Sequence, residues 1–264
     1  MIDEDVLDII INASELKKSD KVLEIGAGFG PLTKRLADKV DKVWAVELEK
    51  RFIPPLKKLE TSFSSIEIIH QDILKLDISK LVGNQEYKIV ANLPYNITSF
   101  IFRKFLEQDP KPSSMTLLIQ KEVAERIVAD VGEFSLLAVS VQFYGNPQII
   151  HQVSKTSFWP EPKVDSAVIK VSDIKTSENI KRENQVDGYD FDEKQFFQVV
   201  KAGFSAKRKQ IHNNLANSLH IETRNIKELL EKSGIKPENR PQDIPINSWK
   251  RLTSILKKAE ILEK

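Results

Sequence analysis

The chain of 264 residues contains no cysteine. Disulfides, thiolate nucleophiles and cysteine-ligated metals are thereby excluded, and a reducing, cytoplasmic setting is expected. The four histidines, at positions 70, 151, 212 and 220, are scattered without metal-ligand spacing, so no metal is expected. No apolar run approaches the ~18–20 residues of a membrane span, and no membrane partner is expected. The N-terminal stretch MIDEDVLDII is acidic, unlike the basic start of a signal or transit peptide. Internal repeats and low-complexity tracts are also missing.

What is present is an ordinary globular composition, 41% apolar and 30% charged, enough to bury a sizeable core in one large or two smaller domains. The net charge of +2 conceals an asymmetry. From Lys194 onward 15 Lys and Arg face 7 Asp and Glu, whereas the preceding residues carry 25 against 31. A basic C-terminal part suits phosphates and hence nucleic acid, although a solvated lysine-rich helical surface gives the same count.

Strand patterns at Lys21–Gly26, Lys42–Leu48, Ile66–Gln71, Tyr87–Leu93 and Met115–Gln120 alternate with helical patterns at 3–16, Leu32–Val40, Arg51–Glu60, Ile97–Leu106 and Lys121–Asp130. Two late strand patterns, Gln148–Val153 and Val164–Val171, have no helix between them. The order predicts an α/β fold with a Rossmann-like, mostly parallel sheet and an antiparallel last strand. Residues 173–193 are polar and weakly patterned and read as a linker. Helical patterns follow at Phe196–Phe204, Lys207–Ser218, Thr223–Ser233 and Asn247–Lys258. The expected organisation is therefore a first domain over 1–175, a linker over 176–193 and a small all-helical domain over 194–264.

The first strand runs into Gly26-Ala27-Gly28-Phe29-Gly30 and then a helix. Alternate glycines let the backbone turn sharply and approach a ligand. A dinucleotide loop would read G-x-G-x-x-G, but here the register is G-x-G-x-G with Pro31 where the last glycine belongs. Glu24, just before the first glycine, suits an ammonium-bearing ligand better than a phosphate. Glu47 ends the next strand and can accept hydrogen bonds from a ribose diol; Asp72 follows the third strand. Each acid alone would read as a helix cap, and the loop alone as a plain turn. Three acids at successive carboxyl ends suggest a nucleoside-like ligand without phosphates, and S-adenosylmethionine fits.

The stretches VLEIGAGFGPLTKRLA, QDIL, ANLPYNITS, QKEVAERIVA and FWPEPKVDSAV, with Glu47, occur in the order seen in the KsgA-type ribosomal RNA adenine dimethyltransferases. The chain resembles that family over nearly its whole length, and more distantly the erythromycin-resistance methylases and mitochondrial transcription factor B proteins. The glycine loop marks only an α/β S-adenosylmethionine methyltransferase; NLPY with F-x-P-x-P-x-V-D-S is more specific. QKEVAERIVA and KRKQIHNNL favour the KsgA type. The resemblance implies dimethylation of N6 of two adjacent adenosines near the 3′ end of small-subunit ribosomal RNA, with S-adenosylmethionine as methyl donor. The partner would be that RNA within a pre-ribosomal small subunit, met by a monomer.

Carried over by position, Glu24, Gly26, Gly28, Glu47, Leu48, Asp72, Ile73 and Asn92 would form the cofactor site. Asn92, Leu93, Pro94 and Tyr95 would form the target-adenine site, with Phe158 flanking the base. Two departures stand out. Family members begin with a basic stretch and a G-Q-x-F-L segment that closes over the cofactor, whereas this chain starts at Met1-Ile2-Asp3, where that segment should have ended. Either the segment has been cut from this sequence or this member does without it, and the cofactor pocket is accordingly expected to lack its N-terminal cover. Phe134 replaces a more usual tyrosine, with little consequence expected.

Adenine N6 is a poor nucleophile because its lone pair is conjugated into the ring. Asn92 Oδ1 and the Leu93 carbonyl could accept its two N–H groups and favour a more tetrahedral nitrogen. Pro94 would fix the carbonyl's direction, Tyr95 would stack on the base and Phe158 could cover its other face. Pro160 and Pro162 would stiffen the Phe158 loop. The base must leave its RNA stack to enter. Lys207, Arg208 and Lys209 are the sharpest basic run; as a helix face they would contact RNA phosphates or simply stand in solvent. Two alternatives stay open on sequence: a DNA adenine methyltransferase, from whose usual D/N-P-P-Y/W Leu93 departs, and a non-catalytic RNA-binding assembly factor on the same fold.

Overall fold

The computed structural model describes residues 3–262; the readings that fall on Met1 and Ile2, and the last two positions of the expected helical domain, lie outside it. The chain forms two compact units. One runs up to Glu125 and resumes over Tyr144–Ile174; the other comprises Arg126–Phe143 and the residues from Lys175 onward.

The first unit is built on a seven-stranded sheet. Its strands are β1 (Lys21–Ile25), β2 (Lys42–Glu47), β3 (Ile66–His70), β4 (Lys88–Asn92), β5 (Ser114–Gln120), β6 (Asn146–Val153) and β7 (Ser166–Ser172), in the spatial order β3-β2-β1-β4-β5-β7-β6. The first five in that order are parallel, and β7 runs antiparallel to both β5 and β6. The mostly parallel sheet with an antiparallel ending is therefore present as expected. β1, β2, β4 and β5 read as continuous apolar runs because both faces of the sheet are covered there. At the edge, β6 is largely exposed and carries an irregularity between Ile149 and His151.

The helices of this unit are α1 (Glu4–Ala13), α2 (Pro31–Ala37), α3 (Ile53–Ser62), α4 (Ile78–Val82), α5 (Thr98–Leu106) and α6 (Lys121–Ile127), the last of which crosses into the second unit. Asp3 caps α1 by accepting from the Asp5 N–H, and Val6, Leu7, Ile10 and Ile11 form its buried face. Pro31 opens α2, and Pro54-Pro55 lie in the first turn of α3, where a missing N–H costs no helical hydrogen bond. Strand order reverses between β1 and β4. In open α/β sheets the crevice outside the carboxyl ends at such a reversal is the ligand site.

The second unit contains α7 (Leu136–Tyr144, apart from its last residue), α8 (Ser177–Val186), α9 (Glu193–Gly203), α10 (Ile211–Leu219), α11 (Thr223–Lys232) and α12 (Ile246–Lys258). α9 packs with α10 and α12, closely enough that a Cβ on Gly203 would lie 2.3 Å from the buried Trp249 ring. Three sequence readings differ from this. Residues 176–193 are not a bare linker: Thr176 caps α8, which buries Ile180 and Asn184. Residues 126–143 join the helical unit instead of the sheet unit. Lys207, Arg208 and Lys209 do not lie on a helix; they form a turn before α10, all three exposed.

Candidate active site

The site assembles at the reversal between β1 and β4. Gly26, Gly28 and Gly30 adopt φ of +75°, +58° and +84°. Only glycine enters that region without strain, so the loop turns back on itself. The Gly26 N–H donates to the Val46 carbonyl at 2.8 Å, pinning the loop to β2. A Cβ on Gly26 would sit 3.6 Å from Pro94 Cδ and 3.8 Å from the Asn92 carbonyl oxygen, so the β1 and β4 loops are direct neighbours. A Cβ on Gly28 would meet nothing within 4 Å. The loop leaves open space there.

Glu47, buried at the end of β2, ties this loop from the other side. Its Oε2 accepts from the Gly28 N–H at 2.8 Å and its Oε1 from the Glu49 N–H at 2.7 Å. A carboxylate has about four lone-pair sites, so two remain for further donors. Leu48 beside it is 59% exposed. Past β3, Asp72 Oδ1 accepts from the Leu74 N–H at 2.9 Å, which closes a local turn, and Ile73 is buried beneath it.

Glu24 lies under the loop. It is 1% exposed, and neither its Oε2 nor Thr33 Oγ1 on α2 closes a hydrogen bond of ordinary geometry. Burial pushes its carboxyl up to about 8; Thr33 opposes the rise and the Glu47 charge adds to it. A buried acid with an unsatisfied oxygen lacks a cation or donor.

At the end of β4, Asn92 is half-buried and Leu93 is buried, its N–H donating to the Leu118 carbonyl at 3.1 Å. The Asn92 side-chain amide has no hydrogen-bond partner among the described residues. Pro94 holds φ −58° and ψ 130°, and Tyr95 starts the turn that leads into α5. The Tyr95 hydroxyl lies 2.8 Å from Ser166 Oγ at the start of β7. Asp165 fastens the neighbouring loop: its Oδ1 accepts from the Lys155 N–H at 3.0 Å and its carbonyl from the Lys121 N–H at 3.0 Å. The two residues that close F-x-P-x-P-x-V-D-S thus have structural duties that spacing alone did not reveal. Phe158 is half-buried and packs against the core cluster that includes α1, α2 and Val153, whereas the next residue, Trp159, is 74% exposed.

These residues fit S-adenosylmethionine. The partnerless Glu24 oxygen matches a cationic amino acid end, the open space at Gly28 admits a ligand, and the Glu47 and Asp72 carboxylates keep acceptor sites beyond their bonds to backbone N–H groups. No phosphate cradle is needed. A family model described as ribosomal RNA adenine dimethylase matches residues 1–258. The chain belongs to the ribosomal RNA adenine dimethylase family.

Within that family, the chain is 39% identical over 253 residues to a protein of Dehalococcoides mccartyi named ribosomal RNA small subunit methyltransferase A, covering 96% of this chain and 84% of the relative. A Clostridium botulinum protein of the same name is 39% identical over 259 residues, covering 97% and 90%. Among solved structures, a dimethyladenosine transferase from Plasmodium falciparum superposes with a TM-score of 0.81 at 27% identity, covering 98% of both chains. The 23S rRNA methyltransferase ErmE shares the fold, with a TM-score of 0.71 at 24% identity over 97% and 98% of the two chains. S-adenosylmethionine is the methyl donor of this adenine dimethylase family, and the Rossmann-like methyltransferase fold expected from the sequence is the one found.

In this family member the second unit holds the basic run. Asn214, buried on α10, donates to the carbonyls of Gly203 at 2.5 Å and Ala206 at 3.0 Å, which fixes the turn carrying Lys207, Arg208 and Lys209. His212 on α10 is buried, with Nδ1 2.7 Å from the Pro237 carbonyl. No helix of the described residues is long and apolar enough to cross a membrane.

Proposed function

We propose that the protein transfers methyl groups from S-adenosylmethionine to N6 of two adjacent adenosines near the 3′ end of small-subunit ribosomal RNA, giving N6,N6-dimethyladenosine. The observation that carries this reading is the Asn92–Tyr95 segment set against the glycine loop at the sheet's reversal point, with an unengaged amide. The small-subunit relatives supply the substrate.

When bound, S-adenosylmethionine supplies an electrophilic methyl group. Glu24, Gly26, Gly28, Glu47, Leu48, Asp72 and Ile73 hold it. Asn92 Oδ1 and the Leu93 carbonyl accept the two N–H groups of the adenine amine and turn its lone pair toward the donor. After the first transfer one N–H remains, and a neutral amide still serves as its acceptor without binding a cation so tightly that turnover stalls. The proton leaves once the nitrogen is cationic and acidic, so no residue need act as a strong base. Tyr95, steadied by Ser166, stacks on the base; such stacking is worth roughly 1–3 kcal/mol. Phe158 closes the far side of the base from its half-buried position. Lys207, Arg208 and Lys209 contact RNA phosphates and position the substrate.

The setting we infer is the cytoplasm, with a monomer acting on a pre-ribosomal small subunit late in assembly. Labelled-methyl transfer to small subunits that lack the modification, with mapping of the modified nucleotides, tests the reading. Label in two neighbouring adenosines supports it; label elsewhere or none at all overturns it.

A further inference from the structure

A second cavity, of about 380 Å³, opens at the same carboxyl edge of the sheet, beyond β5. Gln120, Lys121, Glu125, Lys155, Lys163 and Asp165 are among its walls. It adjoins the adenine site by a short route: Gln120 pairs with Ser166 across β5 and β7, and Ser166 holds the Tyr95 hydroxyl. Its size falls in the ~300–1,000 Å³ range of small-ligand sites.

The loop from 155 to 165 forms one side of this cavity and is held at both ends. The Lys155 N–H donates to Asp165 Oδ1 at 3.0 Å, Lys155 Nζ lies 2.7 Å from Glu161, and the Ser157 carbonyl accepts from the Asp3 N–H at 3.0 Å. On this braced loop Trp159 stands 74% exposed. The other tryptophans, Trp44 and Trp249, are 4% and 0% exposed. Two of the cavity's acids are engaged: the Asp165 carboxylate by the Lys155 N–H, Glu125 by Lys121 at 3.8 Å. Lys163 is exposed and forms no ion pair among the described residues. An exposed large ring and, four residues on in the same loop, a cation without an ion pair are the two kinds of group that single-stranded nucleic acid uses, a base on the ring and its phosphate on the cation.

We propose that Trp159 is the stacking platform for the nucleotide next to the target adenosine, with Lys163 taking the phosphate that links the two. The proposal rests on the reading that the substrate is small-subunit RNA with two adjacent adenosines. It assigns Trp159 a positioning role: while one adenosine occupies the Asn92–Tyr95 site, its neighbour is held unstacked on the indole, which keeps the strand in register for both transfers.

The test compares wild type, Trp159→Ala, Trp159→Phe and Lys163→Ala for methyl transfer to unmethylated small subunits. Cofactor affinity is measured by calorimetry, and tryptophan emission is followed as protein-free small-subunit RNA is added. The expected results are a KM for subunits raised about tenfold in Trp159→Ala, restored to within about threefold by Trp159→Phe, with kcat and cofactor affinity unchanged. Lys163→Ala should raise the same KM severalfold, most at low salt. RNA should quench wild-type emission but leave Trp159→Phe, which keeps only the buried indoles, unaltered. An unchanged KM in Trp159→Ala overturns the proposal, as does a rise that phenylalanine fails to restore. A raised KM on subunits without quenching by protein-free RNA also overturns it and puts a protein on the indole. If wild type itself transfers no methyl group to subunits, it is the substrate reading that fails, and this proposal falls with it.

Discussion

The hydroxyl oxygens of Tyr95 and Ser166 lie 2.8 Å apart and join the loop after β4 to the first residue of β7. One partner comes from NLPY and the other from the end of F-x-P-x-P-x-V-D-S, so the two motifs form a single structure. Tyr95→Phe and Ser166→Ala should each cost about 1 kcal/mol of stability by denaturant unfolding. Each should lower kcat severalfold and leave cofactor affinity unchanged. Unaltered kcat in both would show that the bond does not orient the ring.

Glu24 makes stability depend on pH. Its folded pKa is raised from 4.5 to about 8, so between those values the folded chain keeps a proton that the unfolded chain has released. The contribution is fully present below about pH 4.5 and is lost as pH rises through about 8. A tenfold difference in proton affinity between the folded and unfolded chains corresponds to roughly 1.4 kcal/mol. Glu24→Gln should therefore lose less unfolding free energy than wild type between pH 5 and about 8.5. A cationic ligand beside Glu24 favours the carboxylate, so cofactor binding at neutral pH should release a proton, seen as a binding heat that varies with buffer ionisation enthalpy. Equal buffer dependence in wild type and Glu24→Gln would remove Glu24 from the cofactor's surroundings.

Two glycines of one loop should respond differently to alanine. At Gly30, φ is +84° and a Cβ would lie 2.3 Å from Leu59 Cδ1 and 3.1 Å from Leu56 Cδ2, so Gly30→Ala adds crowding to strain and should cost about 2–4 kcal/mol. At Gly28, φ is +58° and the space is open, so Gly28→Ala should cost about 1–2 kcal/mol yet weaken cofactor binding at least tenfold. Thermal unfolding and calorimetry on both variants check this. Equal stability losses would contradict the packing described.

The exposed turn at Lys207, Arg208 and Lys209 should matter for RNA and little for folding. Replacing all three by alanine should leave the unfolding midpoint within a degree or two. It should also reduce the slope of log K against log salt for RNA binding by up to about 2–3, near 0.7–0.9 per phosphate contact. An unchanged slope counts against the patch.

Much of this was legible in the sequence, for identifiable reasons. β1, β2, β4 and β5 are buried on both faces, so apart from Glu24 and Thr116 their inner residues are apolar, and glycines or polar residues mark their carboxyl ends. The site residues follow those ends directly. Three features were hidden. α8 is so polar that only Ile180 and Asn184 are buried, too few to show a period. α7 reads LLAVSVQFY, rich in apolar residues on every side, and no helical stripe stands out. Gln210, at the N-cap of α10, makes no side-chain cap, so nothing local separated the basic turn from the helix after it. The structural duties of Asp165 and Ser166 required the fold, because their partners lie 10 and 71 residues away.

The most direct test of the central claim is methyl transfer by Asn92→Ala and wild type, side by side, on unmethylated small subunits, with cofactor affinity measured on the same preparations. Asn92 amide binding of the adenine amine predicts that wild type modifies two adjacent adenosines, while Asn92→Ala forms no detectable dimethyladenosine and binds S-adenosylmethionine within a few-fold of wild type. Normal dimethylation by Asn92→Ala would contradict it.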